Sequence, residues 1–144
     1  MLHMSYPYQI KDLAGYHEAY QKSIQTPDVF WGEIAENFTW RKKWDKVSEW
    51  NFKDPSIKWF VGGKLNASYN CLDRHVIEGR GDRTAFLFEG EPGDTRTITY
   101  ADLLAEVSKA AHALTSIGIK DGDRVAIYMP LIPEAVVAML ACAR

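Results

Sequence analysis

Apolar residues recur along this chain with two different periods, and the change of period divides it. Leu13, Tyr16, Tyr20 and Ile24 fall on one stripe and predict a helix over 13–25. Thr26-Pro27 predicts the start of a second helix, with a hydroxyl at the cap and proline at the first helical position. Phe30, Ile34 and Phe38 line its face, so both helices are amphipathic and should dock on something. From Thr84 the pattern changes. Thr84–Phe88 and Thr95–Thr99 are short β-type runs joined by a loop with Gly90, Pro92 and Gly93, which predicts a hairpin. Thr99, with Asp102 three residues on, reads as a capping box. Leu103, Val107, Ala110, Leu114 and Ile117 then give one apolar helical stripe that Gly118 stops. Asp121-Gly122-Asp123 turns the chain into Val125–Met129, a continuous apolar run expected of a strand covered on both faces. Pro133-Glu134 opens a last helix with Val136, Val137 and Leu140 inward.

Between the two regimes lies Trp59–His75, reading WFVGGKLNASYNCLDRH. Gly62-Gly63 marks a turn that glycine takes without steric cost. Asn66 offers a side-chain oxygen as a cap, and Tyr69, Leu72 and Val76 share one helical face. Ahead of it, residues 1–12 show no period and read as surface coil. Glu49–Phe52 reads as a short extended piece before Asp54-Pro55 turns the chain. The fold class is α/β. A helical and extended N-terminal part, residues 1–75, precedes a hairpin and βαβα start of a doubly wound sheet, residues 76–144. A parallel strand flanked by helices requires further parallel neighbours. The fold is therefore expected to be incomplete, the N-terminal piece of a larger protein.

Composition changes this picture little. Across 144 residues, 47% hydrophobic and 25% charged are values of an ordinary globular protein. A net charge of −2 gives no electrostatic case for nucleic acid. Cys71 and Cys142 form no CxxC pair, which points to free thiols in a reducing cytoplasm. His3, His17, His75 and His112 show no metal-ligand spacing. Val125–Ala143 carries Glu134 as its only charge, but Pro130 and Pro133 interrupt it, so it reads as strand, turn and helix and not as a membrane span.

Four local patterns invite sharper chemistry. Trp40–Asn51 interleaves three tryptophans with Arg41, Lys42, Lys43 and Lys46, as a single-strand nucleic-acid surface does. The plainer reading, a solvated loop whose indoles cover apolar surface with lysine stems lying alongside, is preferred because no second basic patch supports the nucleic-acid reading. Gly62-Gly63-Lys64 lacks the first glycine of a phosphate loop and is followed by Leu65 where a magnesium-binding hydroxyl is needed. Arg80-Gly81-Asp82 reads as a polar loop. Asp73-Arg74-His75 suggests acid–base work, yet adjacent helical residues splay about 100° apart and do not converge on one atom. The triplet reads as structural, with Arg74 able to reach Glu78.

The stretch WF-x-GG-x-LN-x-x-x-NCLDRH resembles the N-terminal signature of AMP-forming acetyl-CoA synthetases, within the adenylate-forming superfamily. TPDVFWGEIAENFTW and WNF are similar to the extension those synthetases carry. Thr99-Tyr100, the LxxxVxxxAxxL helix and GDRVAIYMPLIPEAVVAMLACAR resemble the opening of the common fold, which acyl-CoA synthetases share widely. The resemblance implies a ligase that activates acetate with ATP and magnesium to acetyl-adenylate and passes the acetyl group to CoA. It also implies a cytoplasmic protein, no nucleic-acid or membrane partner, and room for a homo-oligomer. The family's phosphate loop, nucleotide contacts and catalytic lysine have no counterpart among these residues. No catalytic, cofactor-binding or metal residue is therefore assigned, and no ATP, magnesium or CoA is expected on this piece alone. Two alternatives stay open: a propionyl-CoA or other short-chain acyl-CoA synthetase, and a non-catalytic interaction or regulatory module.

Overall fold

The computed structural model describes residues 9–144, so most of the coil expected over 1–12 lies outside the described residues. Two compact units follow, one ending at Leu65 and one running Asn66–Arg144.

In the first unit, α1 (Leu13–Gln25) starts where Asp12 Oδ1 accepts from the Gly15 amide at 2.7 Å. Helix α2 (Pro27–Ala35) follows at once and packs on it, tied by a Lys22–Glu33 ion pair at 2.5 Å. Pro27 sits at the first helical position and Thr26 at the cap position as expected, but the Thr26 hydroxyl makes no capping hydrogen bond. One residue serves as the end of α1 and the start of α2, and its hydroxyl donates backwards to the Lys22 carbonyl at 3.1 Å. The stripe of α1 stays in water: Leu13 is 70% exposed and Ile24 55%.

Two strands complete this unit, β1 (Lys46–Asn51) and β2 (Ser56–Val61), antiparallel with Trp50 opposite Ile57 and Ser48 opposite Trp59. The turn at Asp54-Pro55 was expected; the pairing was not, since only a short extended piece was foreseen. The rings of Trp40, Trp44 and Phe60 meet with centroids 4.9–5.3 Å apart, and Trp31 meets Trp59 edge-on at 6.2 Å. Of the three tryptophans in 40–51, Trp40 and Trp44 pack with Phe60, and Trp40 Nε1 donates to the Ala35 carbonyl at 2.9 Å, whereas Trp50 lies on β1 and is 68% exposed; the loop expected there is in part a strand.

The second unit holds the hydrophobic core. Strands β3 (Thr84–Glu89) and β4 (Thr95–Thr99) form the expected hairpin, with a bulge between Thr84 and Phe86. Helix α3 (Tyr100–Ser116) is capped by Thr99, whose Oγ1 accepts from the Asp102 amide at 3.1 Å and donates to Asp102 Oδ2 at 2.6 Å. Gly118, at φ +99, ends the stripe beyond it. Leu103 and Val107 face inward to meet Leu72, Ile98, Val137 and Ala141, the last two from α4 (Pro133–Ala143).

The strand expected over Val125–Met129 is corrected. Among the described residues no strand pairs with this run, and Tyr128 and Leu131 lie fully exposed. A strand is defined by its neighbour's hydrogen bonds, and here there is none to supply them. The turn before it is as expected, with Asp123 Oδ2 accepting from the Lys120 amide at 2.8 Å. Among the described residues no helix is long and apolar enough to cross a membrane.

Candidate functional site

The stretch Trp59–His75 is best followed from its turn. Gly62 takes φ +75, where a side chain is strained, and the bulky Phe60 takes φ +49 just before it. Gly63 leaves no room for a side chain: a Cβ there would lie 2.7 Å from Trp40 Cζ3 and 2.9 Å from the Phe60 carbonyl oxygen. The turn is thus shaped by the aromatic cluster beneath it. The carboxylate of Asp45 stands against Gly62, and Lys42 reaches it at 3.2 Å. A carboxylate over the turn repels a phosphate, and the Lys64 backbone is engaged with Lys42 in an antiparallel bridge. This is no phosphate cradle.

Asn66 caps the helix that follows, as expected, with Oδ1 accepting from the Tyr69 amide at 2.8 Å. The helix is not regular α. Tyr69–Asp73 and Val76–Arg80 are π-helical turns. The wider turns keep Leu72 in the core, 1% exposed, and bury Ser68 and Asn70 beside it.

The three members of Asp73-Arg74-His75 do diverge. Asp73 takes both terminal nitrogens of the Arg144 guanidinium, at 2.8 and 2.9 Å. Those bonds hold its carboxyl below the usual carboxylate range, against the opposing effect of burial. His75 packs on the Tyr100 ring, centroids 4.9 Å apart. Burial lowers its imidazole from the ordinary value, and the charges of Arg80 and Arg74 push the same way while Glu78 opposes. Glu78 is met by Arg80. Sequence spacing carries no signal for the Asp73–Arg144 pair, whose partners are 71 residues apart.

Elsewhere the chemistry is sparse. Lys42, Lys43 and Lys46 of the basic aromatic stretch each face a carboxylate, of Asp45, Glu36 and Glu49. A cleft of about 680 Å³ between α1 and α2 has Ile10, Phe30 and Ile34 in its lining, beside the Lys22–Glu33 pair. Among the described residues no three His, Cys, Asp or Glu side chains come together to hold a metal. Cys71 and Cys142 are free, exposed thiols.

The AMP-binding enzyme family model matches residues 73–144, half of the chain, and the chain belongs to that family. Residues 16–71 match a second model, that of the acetyl-coenzyme A synthetase N-terminus. Among curated relatives, an acetyl-coenzyme A synthetase of Deinococcus radiodurans is 54% identical over 131 residues, 91% of this chain and 20% of its own length. One of Mycobacterium bovis is 58% identical over 128 residues, 88% of this chain and 20% of its own. The solved acetoacetyl-CoA synthetase from Streptomyces lividans superimposes with a TM-score of 0.78 at 31% identity, over 93% of this chain and 20% of that one. The chain thus spans about a fifth of the length of these relatives.

Proposed function

We propose that this chain is the N-terminal part of an AMP-forming acetate–CoA ligase. The parent protein joins acetate to ATP, giving acetyl-adenylate and releasing pyrophosphate. The CoA thiol then attacks the acyl carbon and AMP leaves. Residues 1–75 form the extension and 76–144 open the AMP-binding domain, in a cytoplasmic protein able to form a homo-oligomer. The observation that carries this reading is the match of residues 16–71 to the acetyl-coenzyme A synthetase N-terminus. The AMP-binding match alone is silent on the acyl group. Identity to the acetyl-CoA synthetases, 54–58%, also exceeds the 31% to the acetoacetyl-CoA enzyme, which favours the shorter acid.

Within this chain no side chain is assigned to the reaction. No metal-ligating cluster exists among the described residues, and the one glycine-lysine turn faces a carboxylate. The 144-residue piece serves instead as scaffold, and ATP, magnesium and CoA are met by the remainder of the parent. Acetate-dependent pyrophosphate release, measured for the 144-residue chain and for the product of the whole reading frame, tests this. The longer protein is expected to turn over acetate faster than propionate or acetoacetate, and the short chain to release nothing. Turnover by the short chain, or a longer product that ignores acetate, would overturn the reading.

A further inference from the structure

Asn66 opens the second unit and Arg144 closes it, and the two are bonded to each other. Asn66 Nδ2 donates to the Arg144 carbonyl at 2.9 Å, while its Oδ1 caps the π-turned helix at Tyr69. Its own carbonyl accepts from the Asn70 amide at 3.2 Å and from Asn70 Nδ2 at 3.0 Å. Asp73, further along that helix, grips the Arg144 guanidinium with both oxygens. The pair is partly shielded, with side-chain exposures of 30% for Arg144 and 16% for Asp73. A bidentate, shielded pair is stronger than an exposed one.

These residues come from different parts of the family pattern. Asn66 lies in the stretch matched to the synthetase N-terminus; Asp73 and Arg144 both lie in the stretch matched to the AMP-binding family.

We propose that Asn66, Asp73 and Arg144 form a latch by which the signature helix, capped at Asn66, holds the C-terminal end of α4, so that the signature helix and the last turn of α4 open together. The latch gives the polar residues of LN-x-x-x-N-x-x-D a positional task in place of acid–base chemistry.

Native-state hydrogen exchange on the product of the whole reading frame, read at single amides, tests the coupling. Arg144→Ala should speed exchange about tenfold at the Asn70 and Arg74 amides as well as in the last turn of α4, the size expected for losing a charge-assisted bond. Arg144→Lys keeps the charge but not the two-pronged grip, and should give a smaller rise at the same two places. If the alanine variant fails to fold, the lysine variant decides by that same pattern. Faster exchange confined to α4, with Asn70 and Arg74 unmoved, would be simple fraying and would overturn the latch, as would no change anywhere.

Discussion

Ala35 is the only buried apolar residue among the described residues of the first unit, whereas the second encloses six, from Leu72 to Ala141. The first unit compensates with rings. Trp44 meets Trp40 and Phe60 edge to face while Trp40 and Phe60 lie tilted to each other, and each such contact contributes roughly 0.5–1.5 kcal/mol beyond area burial. The second unit uses aliphatic side chains from four directions, packed on Val107, which is fully buried. The difference teaches where each unit is vulnerable. An aliphatic core fails when a side chain is removed; a ring cluster braced on a tight turn fails when the turn is forced open.

The largest effect belongs to the second unit. Leu72→Ala should cost about 2–5 kcal/mol, as for other fully buried leucines, read as a lowered denaturant midpoint. Loss below about 1 kcal/mol would mean that the π-turned helix collapses into the space, and the contrast between the units would weaken.

Gly63→Val attacks the first unit. The new Cβ would sit within 3 Å of Trp40 and of the Phe60 carbonyl oxygen. Neither can move without parting the ring cluster or the turn, so about 1–3 kcal/mol of overpacking strain is expected. Tryptophan fluorescence should report the loss, because all five tryptophans, Trp31 to Trp59, lie in this unit. Unchanged fluorescence and midpoint would show that the turn is not braced on the indole.

A smaller pair of changes sharpens the comparison at the helix starts. Thr99→Ala should cost about 1 kcal/mol, because its hydroxyl satisfies the Asp102 amide. Thr26→Ala, in a residue whose hydroxyl points back to Lys22, should stay within about 0.5 kcal/mol. Equal losses would mean that Thr26 does cap α2 in solution.

How much of this could be read from the residues follows the same divide. Both helices of the first unit, the hairpin of β3 and β4, the Thr99 capping box and the Asn66 cap are local patterns, and local patterns reach their structure by nearest-neighbour chemistry. The pairing of β1 with β2 was missed because Lys46–Asn51 mixes charge with aromatic residues and shows no strict alternation. Val125–Met129 failed for the opposite reason. Its apolar run is strand-like, but a strand needs a neighbour, and the described residues provide none. The π turns and the grip of Asp73 on Arg144 depend on packing and on partners far along the chain, which no spacing announces.

The smallest effect is a pH dependence confined to the second unit. His75 lies against Tyr100, with Arg74, Arg80 and Glu78 as the charges acting on it. Burial first, then the two arginines, lowers its imidazole below the value of the unfolded chain. The folded state therefore prefers the neutral ring. That preference contributes fully above about pH 6.5, where the unfolded imidazole is also neutral, and fades as pH falls below it. His75 is only part-buried, so solvent screening keeps the effect modest. Asp73 reinforces the trend lower down, since a carboxyl held low by Arg144 loses its contribution only in the acid range. Denaturant midpoints measured from pH 7.5 to 5 should fall for the natural chain, and His75→Gln should flatten that interval while leaving the loss below it. A midpoint that rises on acidification, or an unchanged slope in His75→Gln, would mean that the ring is already charged against Tyr100.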